Sequence, residues 1–100
     1  MPNVVRCIVV KASPQKAAEI EKLWKTECAP LMRRIKGCVS EELLHCAEDP
    51  GEYISLAEWE SRAAIDAYLA SSEHQEIKRH TRGIQGVSVT VRTYEVTAKE

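Results

Sequence analysis

Two polar side chains interrupt otherwise apolar helical stripes in the second half of the chain. His74 shares a predicted helix face with Ile77, and a histidine with an ordinary pKa can take the proton of a phenol near neutral pH. Tyr68 lies on the stripe of Ile65 and Leu69, and a buried tyrosine needs a partner for its hydroxyl. Both are therefore candidate catalytic residues. A helix-start histidine bonded to backbone and a plain core aromatic remain the structural alternatives.

Two further residues are candidates for binding a ligand. Trp59 ends a predicted strand, where its ring would form a flat wall for an aromatic ligand or would simply pack in the core. Lys78 opens a short basic run, which either is a solvated helix face or reaches over a pocket and attracts an anionic substrate.

Composition narrows the class of protein before any motif is considered. The chain has 100 residues, which supports a single domain over residues 1–100 with one modest core. Its 14 basic and 15 acidic residues leave a net charge of −1, which favours neither nucleic acid nor an anionic membrane as a partner. No apolar run is long enough for a membrane span and no secretion signal opens the chain, so a cytoplasmic protein is expected. Four cysteines without a C-x-x-C pair are expected to be reduced thiols, with no metal site.

Hydrophobic periodicity divides the chain into alternating elements. Pro30 interrupts the first helical pattern, which predicts a kink or break over residues 26–29, and Gly37 ends that helix. Ser61 is the predicted N-cap of the next helix, which Ser71 and Ser72 break. The predicted strands cover residues 4–10, 39–45, 53–59 and 87–96, and the predicted helices begin at Pro14, Ser61 and Glu73.

The resulting order predicts an α+β fold of the ferredoxin-like type, β-α-β-β-α-β with an extra short helix before the last strand. In that arrangement the helices cover only one face of the sheet, yet strands one to three carry apolar residues on both faces. A second copy of the chain, packed sheet to sheet, would cover the other face. In the last strand the apolar positions change parity between Val91 and Tyr94, which predicts a bulge or a strand that packs on a partner.

Four sequence features resemble the antibiotic biosynthesis monooxygenase family. They are the proline inside the first helix ahead of Gly37-Cys38, the strand ending at residues 58–61, the helix start at residues 64–69 and the opening of the next helix at residues 71–74. Members are small ferredoxin-like proteins that pair sheet to sheet as a dimeric α/β barrel. The resemblance covers essentially the whole chain.

The resemblance implies a cofactor-independent monooxygenase, closest in pattern to members that oxidise quinols. In such proteins the substrate supplies the electrons to O₂, and the protein deprotonates and orients it without flavin, haem or metal. Some polyketide-oxidising relatives line the pocket with an Asn and a Tyr where this chain has Ser55 and Ile65, so the resemblance makes these two further expected substrate-binding residues. Haem-degrading relatives carry an Asn, a Trp and a His at places that look like Arg6 or Cys7, Tyr68 and Lys78 here, so haem degradation is disfavoured.

Two other classes of function remain open. One is a dimeric small-ligand-binding or stress-related protein of the same fold without redox chemistry, which the missing pocket residues favour. The other is an enzyme that isomerises or degrades a small phosphorylated signalling molecule, which the basic run from Lys78 to Arg82 favours.

Overall fold

Four antiparallel strands form one sheet in the order β2-β3-β1-β4. The computed structural model describes residues 3–81 and 86–99, with β1 at Val4–Lys11, β2 at Cys38–His45, β3 at Glu52–Trp59 and β4 at Ser88–Glu95. Two strands from the first half and two from the second therefore interleave, with β1 and β3 as the central pair. This is the ferredoxin-like α+β arrangement, and it confirms the predicted fold class.

The first helical segment changes its winding just before Pro30. A 3₁₀ turn at Pro14–Lys16 leads into α1 at Ala17–Leu23, and a π-helical turn at Trp24–Cys28 joins α1 to α2 at Ala29–Met32. The N–H of Ala29 bonds to the carbonyl of Trp24, five residues back. Because proline has no N–H to continue the α-helical ladder, the wider turn carries the helix past Pro30. Of the predicted kink or break over residues 26–29, the structure shows an irregular turn at Trp24–Cys28 and no break in the helix.

The second helical segment consists of α3 at Arg62–Leu69 and α4 at Ser72–Thr81. Ser61 caps α3, since its hydroxyl accepts a hydrogen bond from the N–H of Ala64 at 3.1 Å. Gly37, with φ +93°, precedes β2, and a Cβ built on it would lie 2.6 Å from the Cβ of Ala64. Glycine at this position therefore allows both the left-handed backbone and the close approach of α3.

The core lies between the helices and one face of the sheet. Its buried cluster consists of Val4, Met32, Ala57, Trp59, Ile65 and Tyr68. Trp59 has no exposed surface, so the end of β3 is the most enclosed point of the sheet. The opposite face carries Leu44 and Tyr94, which are 41% and 53% exposed.

The last strand is more regular than the parity change predicts. β4 pairs with β1 in one continuous register, from Ser88 opposite Lys11 to Glu95 opposite Val4. The predicted bulge is therefore wrong for this strand, and the parity change places Val91 and Tyr94 on opposite faces instead. The irregularity lies in β2, where the register shifts between Cys38 and Ser40. Packing of this strand on a partner remains a prediction.

Among the described residues, no helix has the length and apolar character required to cross a membrane.

Candidate functional site

A cavity of about 400 Å³ lies between the sheet and the helices. Its volume falls in the range of sites that bind small molecules. The wall is mostly aliphatic and aromatic, and Val89 and Val91 of β4 line it although they are 56% and 46% exposed. The cavity is therefore open toward β4. Its polar and ionisable lining residues include Arg6, Glu41, Ser55, Tyr68, His74 and Lys78.

Three aromatic rings contact one another in a row along this wall. The ring centroids of Trp59 and Tyr68 lie 5.1 Å apart, and those of Tyr68 and His74 lie 4.9 Å apart in an edge-to-face arrangement. Trp59 ends β3, Tyr68 lies on the last turn of α3, and His74 lies on the first turn of α4. Such contacts fix the planes of the rings relative to one another. The imidazole is thus held at a defined angle at the edge of the cavity.

The short turn between α3 and α4 holds His74 in place. The hydroxyl of Ser71 donates to the carbonyl of Tyr68 at 2.5 Å and accepts from the backbone N–H of His74 at 3.2 Å. The Nδ1 atom of His74 lies 3.1 Å from the carbonyl oxygen of Leu69. A carbonyl can only accept, so Nδ1 carries the proton and Nε2 of the neutral ring is left with a free lone pair.

Burial is the main influence on the charge of His74. It lowers the pKa of the imidazole, and the charges of Lys78 and Arg6 lower it further, while the hydrogen bond to Leu69 acts in the opposite direction. The neutral ring is therefore favoured near pH 7. A neutral imidazole with an unoccupied Nε2 is the form that accepts a proton.

Tyr68 contributes a phenol hydroxyl of lowered acidity to the cavity wall. Its residue is only 4% exposed, and burial raises its pKa to about 12. The Arg6 charge opposes this shift, and the Glu41 charge adds to it. No hydrogen bond from the Tyr68 hydroxyl to another described residue is present, so the group is a neutral donor that a bound molecule can use.

A carboxylate on β2 forms the second polar element of the cavity. The Ser55 hydroxyl lies 3.3 Å from Oε1 of Glu41, and the indole N–H of Trp24 lies 3.4 Å from the Ser55 oxygen. The other oxygen of Glu41, Oε2, is buried and has no hydrogen-bond partner among the described residues. Burial raises the pKa of Glu41 to about 7, against the opposing effects of Ser55, Trp24 and Arg6. Glu41 can therefore exist in either protonation state near neutral pH.

Arg6 contributes the positive charge in the same part of the cavity. It pairs with Ala57 across β1 and β3, and Ala57 pairs with Glu41 across β3 and β2. Burial lowers the pKa of Arg6, and the charges of Tyr68 and Glu41 counteract this. No carboxylate of the described residues lies in salt-bridge contact with its guanidinium. The small side chain of Ala57 separates the two charged groups across the floor of the cavity.

The structure brings most of the predicted site residues to one cavity. His74, Tyr68, Trp59, Ser55 and Lys78 all line it. Ile65 does not: it is 5% exposed and packs in the core cluster behind Tyr68. The side chain of His80 and all of Arg82 lie outside what the structure describes.

Arg6 and Glu41 were not predicted as cavity residues from the sequence. The signal that identifies them is strand parity. Arg6 lies on the same covered face of β1 as Ile8 and Val10, and Glu41 lies on the same face of β2 as Leu43. A charged residue in phase with the apolar face of a strand is a candidate site residue, because burying it unpaired is costly.

Comparison with known proteins places the chain in a sequence family. The sequence profile of the family described as antibiotic biosynthesis monooxygenase matches residues 4–80. The uncharacterized protein YczJ of Bacillus subtilis is 34% identical over 53 residues. That match covers 52% of this chain and 56% of YczJ, so it spans little more than half of each protein.

Solved structures share the fold over nearly the full length. A candidate antibiotic biosynthesis monooxygenase of Deinococcus radiodurans superposes with a TM-score of 0.82 at 19% identity, covering 97% of this chain and 95% of that one. SnoaB of Streptomyces nogalater, a cofactor-independent oxygenase, superposes with a TM-score of 0.74 at 17% identity, covering 100% and 96%. At these identities the likeness shows the fold alone.

Proposed function

The chain belongs to the antibiotic biosynthesis monooxygenase family, and from that membership we propose that it is a cofactor-independent monooxygenase. Its substrate in this proposal is a small quinol-like or other aromatic compound, which it oxidises with O₂. The family match is the first support, and SnoaB, which is described as a cofactor-independent oxygenase, has the same fold.

One observation carries the proposal furthest: a neutral histidine with an available Nε2 lies on an aromatic-lined cavity. Nδ1 of His74 is occupied by the Leu69 carbonyl at 3.1 Å, which directs proton acceptance to the other ring nitrogen. Trp59 and Tyr68 provide the flat wall, and the Tyr68 hydroxyl provides a neutral donor. These groups suit a substrate that is planar, apolar over most of its surface and polar at its edge.

The reaction balances without an external reductant. His74 takes the proton of a phenolic hydroxyl, so the O–H bond breaks and an electron-rich phenolate remains. A quinol with a free ring position then supplies four electrons to O₂. One oxygen atom forms a bond to the ring. The other takes back the proton held by His74 and leaves as water, and the product is a hydroxyquinone.

We also propose that the active form is a homodimer joined through the uncovered sheet face. Alternation along β1 and β3 directs one set of side chains away from the helices. This apolar set consists of Val5, Cys7, Val9, Ile54, Leu56, Leu44 and Tyr94. A contiguous apolar face of this kind is characteristic of an interface between subunits. Sedimentation at micromolar concentration tests this, and a stable folded monomer would contradict it.

A second candidate function is ligand binding without redox chemistry. It is favoured by the position of Ile65, which contributes packing in the core and no group to the cavity. It is also favoured by Ser55, whose hydroxyl is already engaged with Glu41 at 3.3 Å. A small molecule that co-purifies and is released unchanged in the presence of O₂ would support this alternative.

Oxygen consumption by metal-free protein tests the monooxygenase proposal. An oxygen electrode would follow uptake with a panel of hydroquinones and naphthols, for the wild type and His74→Ala side by side. The proposal predicts uptake that depends on the protein and falls by about a hundredfold or more in the variant. Uptake that is equal in the two proteins would remove His74 from the proposed chemistry. Absence of uptake with every substrate would favour the binding-protein alternative.

A further inference from the structure

We propose that Arg6 and Glu41 form an oxyanion subsite for an aromatic substrate with an ionisable hydroxyl, in which Glu41 accepts the hydroxyl proton and Arg6 holds the resulting oxyanion. The proposal rests on the proposed function, because it assigns a second hydroxyl of the same quinol-like substrate to a second pair of protein groups.

The first argument is the position of the two charges. Arg6, Ala57 and Glu41 lie side by side on three adjacent strands, all lining the cavity. Two strand spacings put the backbones of Arg6 and Glu41 about 9–10 Å apart, with only a methyl group between them. A ligand oxygen above Ala57 is therefore flanked by a guanidinium on one side and a carboxyl group on the other.

The second argument is that both groups have unused hydrogen-bonding capacity. Oε2 of Glu41 is buried without a partner among the described residues, while Oε1 is held by the Ser55 hydroxyl. The Arg6 guanidinium makes no hydrogen bond to a described residue. Buried polar atoms are nearly always satisfied, so an orphaned carboxylate oxygen beside an unpaired cation indicates a missing partner. A hydroxyl satisfies both, since it donates to a carboxylate and accepts from a guanidinium.

The third argument is that proton transfer within this pair conserves charge. The O–H bond of the ligand breaks and an O–H bond forms on Glu41, so the negative charge moves from the carboxylate to the ligand oxygen beside Arg6. Because burial raises the pKa of Glu41 to about 7, the carboxylate is basic enough to compete for an acidic phenolic or enolic proton. The other ionisable groups that interact with Glu41 are Cys28, Cys38 and Tyr68, each of which is neutral at pH 7.

This arrangement extends the role of the cavity beyond His74. The charge of Arg6 lowers the pKa of both His74 and Glu41, so it interacts with both candidate proton acceptors. A quinol carries two hydroxyls, and the cavity offers one acceptor for each. The subsite therefore favours a substrate with two ionisable oxygens over one with a single oxygen.

Binding of 4-nitrophenol tests the subsite, because its phenolate absorbs at longer wavelength than its phenol. The compound would be titrated into the wild type, Arg6→Met, Glu41→Gln and the control Arg62→Met, which removes an exposed arginine at the start of α3. The bound wild-type ligand is expected to ionise about tenfold more readily than free ligand, and this effect is lost in Arg6→Met and kept in Arg62→Met. At pH 8 the wild type takes up a proton on binding the phenolate, and Glu41→Gln does not.

If Arg6→Met does not fold, measurements on the wild type still test the proposal. Proton uptake at pH 8 is measured from the dependence of the binding enthalpy on the buffer, and 4-nitroanisole, which cannot ionise, should bind without it. No binding of 4-nitrophenol, unchanged ionisation of the bound ligand, or equal ionisation in Arg6→Met would each overturn the subsite. Since 4-nitrophenol binding needs no turnover, these outcomes are independent of whether the protein consumes O₂ with quinols.

Discussion

Two clusters in this fold are each centred on a buried tyrosine. The Tyr53 cluster includes His45 and Glu21, and the Tyr68 cluster includes Trp59 and His74. Tyr53 and Tyr68 are 1% and 4% exposed, and burial is the main cause that raises the pKa of each to about 12. Each also contacts a histidine ring, His45 at a centroid distance of 4.4 Å for Tyr53 and His74 at 4.9 Å for Tyr68. The difference lies in what satisfies their polar atoms.

The Tyr53 cluster is closed by the protein itself. The Tyr53 hydroxyl donates to Glu21 Oε2 at 2.5 Å, and His45 Nε2 lies 2.9 Å from the carbonyl oxygen of Pro50. This cluster therefore ties α1 to β3 and has no unused donor on a cavity. The Tyr68 cluster leaves its hydroxyl and one imidazole nitrogen to the cavity. Burial and residue type are alike in the two clusters, so the unsatisfied polar atoms on the cavity are the feature that marks the Tyr68 cluster as the candidate site.

The largest expected effect is the difference in unfolding free energy lost when a ring that packs against each tyrosine is removed, Trp59 beside Tyr68 and His45 beside Tyr53. Trp59→Ala removes a fully buried ring and should lower the free energy of unfolding by about 3–5 kcal/mol. His45→Ala removes an exposed ring and should cost less than about 1 kcal/mol. Urea unfolding followed by circular dichroism measures both. Similar losses in the two variants would contradict the view that Trp59 is a core residue and His45 is a surface residue.

The two carboxylates beside the clusters should respond to pH in opposite directions. The native pKa of Glu41, about 7, lies above its ordinary value of 4.5, so the native state binds the extra proton and stability falls as pH rises between these values. Glu41→Gln removes this penalty and should gain about 2 kcal/mol over the wild type at pH 8, with little gain at pH 4.

Glu21 provides the matched control for that measurement. Its hydrogen bond from Tyr53 lowers the pKa of the carboxyl group, so its contribution to stability is present above the ordinary pKa and is lost as pH falls through the native value. Glu21→Gln should therefore lose stability near neutral pH and approach the wild type in acid. A loss of stability for Glu41→Gln at pH 8 would contradict the assignment of Glu41 as an unsatisfied carboxylate.

Removal of each hydroxyl sharpens the comparison further. Tyr53→Phe loses a hydrogen bond to a carboxylate and should cost about 1–2 kcal/mol of unfolding free energy. Tyr68→Phe loses no hydrogen bond to a described residue and should change stability by less than about 0.5 kcal/mol. Chemical denaturation of the two variants checks this. A larger cost for Tyr68→Phe than for Tyr53→Phe would show that the Tyr68 hydroxyl, and not the Tyr53 hydroxyl, stabilises the fold, which contradicts the comparison.

The smallest expected effect concerns the pH dependence of turnover. Because burial lowers the pKa of His74, the acid limb of the rate profile should fall at a lower pH than that of an ordinary histidine when it is measured in Glu41→Gln, which removes the other titrating acceptor. His45→Gln should leave this limb unchanged. A limb at or above the ordinary histidine pKa would show that another group controls the proton transfer.

Much of the fold follows from local sequence signals. Three residue types occupy positions that their own stereochemistry favours. They are the proline inside the first helix, the serine that caps α3 and the glycine before β2. The last strand was harder to predict. Its parity change has two explanations in sequence, and only the continuous pairing with β1 shows that Val91 and Tyr94 lie on opposite faces of a regular strand.

The site was predictable in part. His74, Tyr68 and Trp59 could be selected because each interrupts or ends an apolar pattern, and all three line the cavity. The pairing of Arg6 with Glu41 could not be selected, since it depends on β1 and β2 lying on either side of β3. Residues 35 positions apart in the chain become neighbours only through that strand order. Ile65 was selected from the resemblance to polyketide-oxidising relatives, yet its side chain packs in the core.

The most direct test of the proposed function follows both oxygen atoms of labelled O₂. Metal-free wild-type protein would be given a naphthohydroquinone under ¹⁸O₂, beside His74→Ala and the matched His45→Ala. The proposal predicts one labelled atom in the hydroxyquinone and one in water for each turnover, with activity lost in His74→Ala and kept in His45→Ala. Unlabelled product, or equal rates in the two histidine variants, would contradict a monooxygenase that uses the Tyr68 cluster.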